Sequence, residues 1–208
     1  ASEEDKQRIK RTLRAYAEAL TQGQKYQEAE SVFKKLIDSG AGTANSGATD
    51  LVGAAGLCNF GGKQESLGKF KESAALYQRA LKVYQENSKS SKSDQIKLLI
   101  NLSGVYLQSG DAEKAEDMLR DCMDLAEKEK SDDNLATALE GFGRFYSHMG
   151  KFEAAESVLK KAINLRSGSS QPAKGEGSKY DASKKLDSTY LILANAYRNH
   201  GDADEAIK

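Results

Sequence analysis

The chain has 208 residues, and its 31 basic and 31 acidic side chains balance to a net charge of zero. That balance excludes a dedicated binder of nucleic acid or of an anionic membrane surface, both of which carry a basic surplus. Two cysteines, one proline and no tryptophan make no disulfide framework, and with few strand-like runs they point to an all-helical protein. No run approaches the roughly 18 apolar residues of a membrane span, and the overall balance is cytoplasmic-like.

Taken in order, the chain is a succession of paired amphipathic patterns. The basic start, Lys6, Arg8, Lys10, Arg11 and Arg14, is interleaved with Glu3, Glu4, Asp5 and Glu18 and reads as a solvated helix face. A first pair of apolar stripes follows, Leu13, Tyr16, Ala17 and Leu20, then Ala29, Phe33 and Leu36, with Gly23 in the turn.

Residues 38–63 are rich in Gly and Ala and contain the first helix of a second pair, marked by Leu57, Phe60, Gly61, Gly68, Ser73, Tyr77 and Ala80. Gly53, Gly56, Gly61 and Gly62 each lower helix propensity by about 0.8–1 kcal/mol relative to Ala. Two readings stay open for this weak helix. It is a degenerate copy held by its neighbours, or a place where a ligand or partner approaches the backbone closely.

The third pair has the cleanest pattern. Leu99, Leu102, Ser103 and Tyr106 form one stripe, and Ala115, Leu119, Cys122 and Ala126 form the next. Between them, Gly110 suits the left-handed conformation that ends a helix, and Asp111 suits the cap of the following one. The fourth pair repeats the third at a constant offset of 40 residues, through Leu139, Phe142, Gly143, Tyr146, Gly150, Ala155, Leu159 and Ala162.

Residues 167–186, rich in Gly, Ser and Lys around Pro172, predict a flexible insertion. Tyr190, Leu193, Ala194, Tyr197, Gly201 and Ala206 then repeat the third pair at an offset of 51. Lys208 falls inside a helical pattern, so this fifth copy reads as truncated and the chain as a segment of something longer.

A small residue at the eighth position, Tyr at the eleventh, Gly at the fifteenth, Ala at the twentieth and a bulky apolar residue at the twenty-fourth resemble the tetratricopeptide repeat. The spacing of 40 to 51 residues and the Ala-Glu pairs Ala29-Glu30, Ala115-Glu116 and Ala155-Glu156 resemble the longer repeats of the kinesin light chain type. The added residues are expected to extend the second helix or the connector. The resemblance implies an all-α solenoid of tandem helix-turn-helix hairpins wound into a right-handed superhelix. Its copies cover residues 10–40, 54–88, 96–130, 136–166 and 187–208. Their marker residues pack helix on helix, and the first helices line a concave face.

By that resemblance, Arg14, Asn59, Lys97, Asn101, Gln108, Arg144, His148, Asn195 and Arg198 face the groove, with Glu140 among the same positions. Asn bonds a peptide N–H and C=O together, and Arg grips a carboxylate in two places. Chaperone-binding relatives clamp a terminal carboxylate across three copies. Asn59, Lys97 and Asn101 match parts of that clamp, but the first copy carries Arg14 and Glu18 at its clamp positions and Asn101 also stands where the clamp has a cation, so the full clamp is absent.

Chemistry-bearing motifs are missing. His148 and His200 lie at helix ends, Cys58 and Cys122 have no partner at metal-ligand spacing, and no nucleophile elbow or phosphate loop occurs. The sequence implies no cofactor and no catalysis. It predicts a non-catalytic scaffold that binds a protein or peptide partner in the groove, with neither nucleic acid nor membrane as a partner. The alternative is a self-assembly module forming a homo-oligomer through its ends, with Leu193, Ala196 and Tyr197 exposed on the truncated hairpin.

Overall fold

The computed structural model describes residues 2–23, 25, 28–29, 31–33, 35, 46–87, 90–168 and 176–201. Eight helices are bounded among them: α1 (Glu3–Gln22), α2 (Ser46–Ser66), α3 (Phe70–Glu86), α4 (Lys92–Gln108), α5 (Ala112–Lys128), α6 (Asp132–His148), α7 (Phe152–Gly168) and α8 (Glu176–His200). No strand is present among the described residues.

The lengths explain the repeat period. Helices α3 to α7 are each 17 residues long, or about 25 Å at 1.5 Å per residue. Residues 109–111, 129–131 and 149–151 join α4 through α7. Two such helices with two three-residue connectors give the 40-residue offset of the third and fourth copies. The added length therefore sits in both helices of a hairpin, and these connectors stay minimal.

The turn inside each hairpin is built from backbone bonds. Gly110 takes φ +85°, and Gly150 takes φ +71° at the matching place. This left-handed conformation lets the N–H of Asp111 reach the carbonyl of Tyr106 at 2.8 Å and that of Gly110 reach Leu107 at 3.0 Å. The same two bonds recur at Lys151 to Tyr146, 2.8 Å, and Gly150 to Ser147, 3.2 Å. They satisfy carbonyls that a helix end would otherwise orphan. Asp111 then caps α5 by accepting from the N–H of Lys114 at 3.2 Å, and Ser131 caps α6 through Asn134 at 3.3 Å.

The chain divides into two compact units, Ala1–Val105 and Tyr106–Lys208. In the first, α2 and α3 form a hairpin and α1 packs on α2. Its core includes Ala17, Leu20, Phe33, Leu57, Phe60, Tyr77 and Ile96, all buried. The glycines of α2 serve this core. A Cβ at Gly56 would lie 2.0 Å from the Phe33 ring, and one at Gly61 would lie 2.8 Å from the Tyr77 ring. The close approach left open by the sequence is made by the chain's own aromatic side chains.

In the second unit, α6 and α7 form a hairpin, α5 packs on α6, α7 packs on α8, and α6 and α8 are in contact. Ala115, Leu119, Cys122 and Ala126 of α5 and Ala155, Leu159 and Ala162 of α7 are fully buried. Gly143 lets the hairpin close: its absent Cβ would sit 2.5 Å from the Leu159 side chain.

Two expectations need correction here. Within 167–186, α7 runs on to Gly168 and α8 starts at Glu176, so residues 176–186 are helical rather than part of a flexible insertion. Lys185 anchors this stretch through Asp133 at 2.8 Å; residues 169–175 lie outside the described residues. Leu193 and Ala196, expected as exposed end surface, are 8% and 5% exposed because they pack on Leu159. Ala206 and the rest of the fifth hairpin's second helix lie outside the described residues, as does Leu36 of the first copy.

Candidate partner-binding site

Helical spacing groups the expected groove residues. Lys97 and Asn101 are one turn apart on α4, with Gly104 and Gln108 continuing the same face. Lys97, Asn101 and Gln108 are exposed, and a Cβ at Gly104 would meet nothing within 4 Å. Lys97 lies 3.5 Å from Asp94, a pairing between two exposed groups. Asn59 is exposed on α2. Arg14 lies on α1, and its side chain is outside the described ones.

In the second unit, Arg144 and His148 are one turn apart and exposed on α6. On the neighbouring α8, Arg198 is exposed and Asn195 is half-buried. Two adjacent first helices thus carry Arg144, His148, Asn195 and Arg198.

Glu140 does not join them. It is buried, with Arg166 Nη2 2.9 Å from its carboxylate and the Thr189 hydroxyl donating to the same oxygen. Arg166 reaches further, to Asp133 at 3.2 Å and to the Thr137 hydroxyl at 3.2 Å. Asp133 in turn holds Lys185. This group ties α6, α7 and α8 together, and the residues that build it around Glu140 were not singled out from the sequence. A signal was present, however. Arg166 occupies the repeat position of Ala126, and Thr189 that of Ala138, both fully buried alanines. Polar side chains at buried positions demand partners.

Among the described residues, the buried thiols and phenols are held in their neutral form. Burial pushes the Cys58 thiol up to about 12, with Asp94 adding to the effect. Burial likewise raises Tyr84 to about 12 and Tyr77 further, and Cys122 in the second unit rises to about 12 for the same reason. Protonated thiols of this kind are poor nucleophiles.

A tetratricopeptide repeat family model matches residues 54–128 and again 94–167. The chain belongs to the tetratricopeptide repeat family. A PPR repeat model also matches residues 188–208, over the end of α8 and beyond. No curated protein matches the tetratricopeptide chain. Among solved structures it is similar to BtubC (BKLC) from P. vanneervenii, at 16% identity and TM-score 0.65, over 92% of this chain and 72% of that one. A kinesin light chain-like array of nearly identical TPR-like repeats from Podosopora anserina matches at 16% identity and TM-score 0.57, over 95% and 89%. The apo form of RapI matches at 12% identity and TM-score 0.65, over 96% and 66%. At such identities the likeness shows the tetratricopeptide fold alone. The family supports a protein-interaction scaffold, and its repeats are generally non-catalytic.

Proposed function

We propose that this tetratricopeptide array binds an extended peptide segment of a partner protein on the exposed faces of its first helices. The observation that supports the reading is that α6 and α8 are in contact, with Arg144 and His148 exposed on α6 and, on α8, Arg198 exposed and Asn195 half-buried. Two guanidinium groups and an amide offer paired donors to carboxylates and peptide carbonyls, together with an acceptor for a peptide N–H. In the first unit, Asn59, Lys97 and Asn101 offer the same chemistry, with Arg14 on α1 as a further contact; in the second unit, Gln108 at the end of α4 is a further contact.

Selection from a displayed peptide library, followed by calorimetry on the enriched peptides, tests this. Replacing Arg144, Asn195 and Arg198 together by alanine is expected to weaken binding about tenfold or more, equivalent to about 1.4 kcal/mol or more, with unchanged helical circular dichroism. Undiminished affinity in that variant contradicts the reading.

Self-association is the second reading. Tyr190 and Leu191, 51% and 63% exposed on α8, favour it. A monomer at every concentration in light scattering argues against it.

A further inference from the structure

The hairpin junctions of the second unit are built from matching positions, and one of them is incomplete. Where α6 meets α5, Phe142 and Phe145 stand with their ring centroids 5.8 and 5.6 Å from that of Tyr146. The same positions of α8 hold Leu193 and Ala196, while α7 carries Phe152 where α5 carries Ala112. Two phenylalanines are thus replaced by smaller side chains, and an open cleft of about 190 Å3 lies between α7 and α8.

Its chemistry is graded. Leu193 and Ala196 form an apolar floor. Phe152 and His200, with ring centroids 4.4 Å apart, and Tyr197 supply aromatic walls. Glu153 and Glu156 complete the lining. Glu156 accepts from the Tyr197 hydroxyl at 2.6 Å and from Lys160; those bonds hold its carboxyl below the usual carboxylate range. An apolar floor favours an aliphatic stem, carboxylates favour a cation, and aromatic faces add attraction for that cation. An anion would meet two carboxylates.

We propose that this cleft receives a long basic side chain, lysine or arginine, from a partner protein. The stem lies over Leu193 and Ala196, and the cation lies beside Glu153 and Glu156. None of these residues belongs to the groove set on α6 and α8, so this proposal and the peptide-groove reading fail independently.

The test is an amide chemical-shift titration of the full chain with the methylamides of N-acetyl-lysine, N-acetyl-arginine, N-acetyl-norleucine and N-acetyl-glutamate. Saturable shifts confined to Phe152, Glu153, Glu156, Leu193, Ala196, Tyr197 and His200 are expected with the two cations, at least fivefold weaker with norleucine and absent with glutamate. Ala196→Phe, which restores the aromatic side chain of the preceding hairpin, should abolish them. The double variant Glu153→Gln/Glu156→Gln, which keeps an acceptor for Tyr197, should weaken the cations to the norleucine level and provides the charge test even if the phenylalanine variant misfolds. No saturable shift, norleucine as strong as lysine, or cation shifts undiminished in the double variant would overturn the proposal.

Discussion

Glycines show at the residue scale how one side-chain type serves opposite ends in this chain. Gly61 and Gly143 stand where a methyl group has no room, 2.8 Å from the Tyr77 ring and 2.5 Å from Leu159. Both neighbours are buried, at 3% and 0% exposure, and have little freedom to move aside. Gly104, in the middle of α4, has open space at the same distance. Alanine gains about 0.8–1 kcal/mol of helix propensity at any of the three, but overpacking costs about 1–3 kcal/mol. Gly104→Ala is therefore expected to stabilise by about 0.8–1 kcal/mol, and Gly61→Ala and Gly143→Ala to fall below it, with a net destabilisation of up to about 2 kcal/mol. Urea denaturation of the three variants checks this. A uniform gain across them would show that the packing argument is wrong. The repeat register already separates them: Gly61 and Gly143 hold the small eighth position that packs helix on helix, and Gly104 lies one place beyond it.

At the scale of elements, the helix that departs most from expectation is α8. Its first residues have linker composition, with Gly177 and Ser178 beside Pro172, yet they are helical. Tertiary anchoring explains the override: Lys185 is held by Asp133, and Thr189 donates to Glu140 while also bonding the carbonyl of Lys185 at 3.0 Å. The buried Arg166–Glu140 pair, with side chains 6% and 10% exposed, joins the hairpin beneath. Removing one partner of a buried pair leaves a charge without compensation and costs about 3–5 kcal/mol, whereas an apolar pair of similar volume is neutral or stabilising. Arg166→Ala should accordingly lose about 3–5 kcal/mol in urea denaturation. Arg166→Met with Glu140→Leu should retain or exceed wild-type stability. Equal losses in both variants would mean that the pair itself supplies net stability. The helices of the third and fourth copies were legible because apolar period and turn glycine agree; α5, with Asp111 before it and Ala115, Leu119 and Cys122 along it, is the clearest. Glu140 was misplaced because its burial depends on partners contributed by α7 and α8, which no local pattern reports. Arg166 at an alanine position was the available clue.

At the scale of the whole molecule, the 40-residue period, the two-bond turns and the family match describe one construction principle, repeated helical hairpins that present polar faces on an apolar frame. The packed residues that identify the family explain stability. Under the proposed function, the polar positions between them, on α2, α4, α6 and α8, set partner choice. The central claim is that binding occurs on these first helices. Amide chemical-shift mapping of a library-selected peptide on the isotopically labelled chain tests it most directly. The account predicts perturbations at Lys97 and Asn101 for a peptide on the first unit, or at Gln108, Arg144, His148, Asn195 and Arg198 for one on the second. Perturbations confined to the second helices, at exposed positions such as Lys82 of α3, Arg120 of α5 and Lys161 of α7, would contradict it.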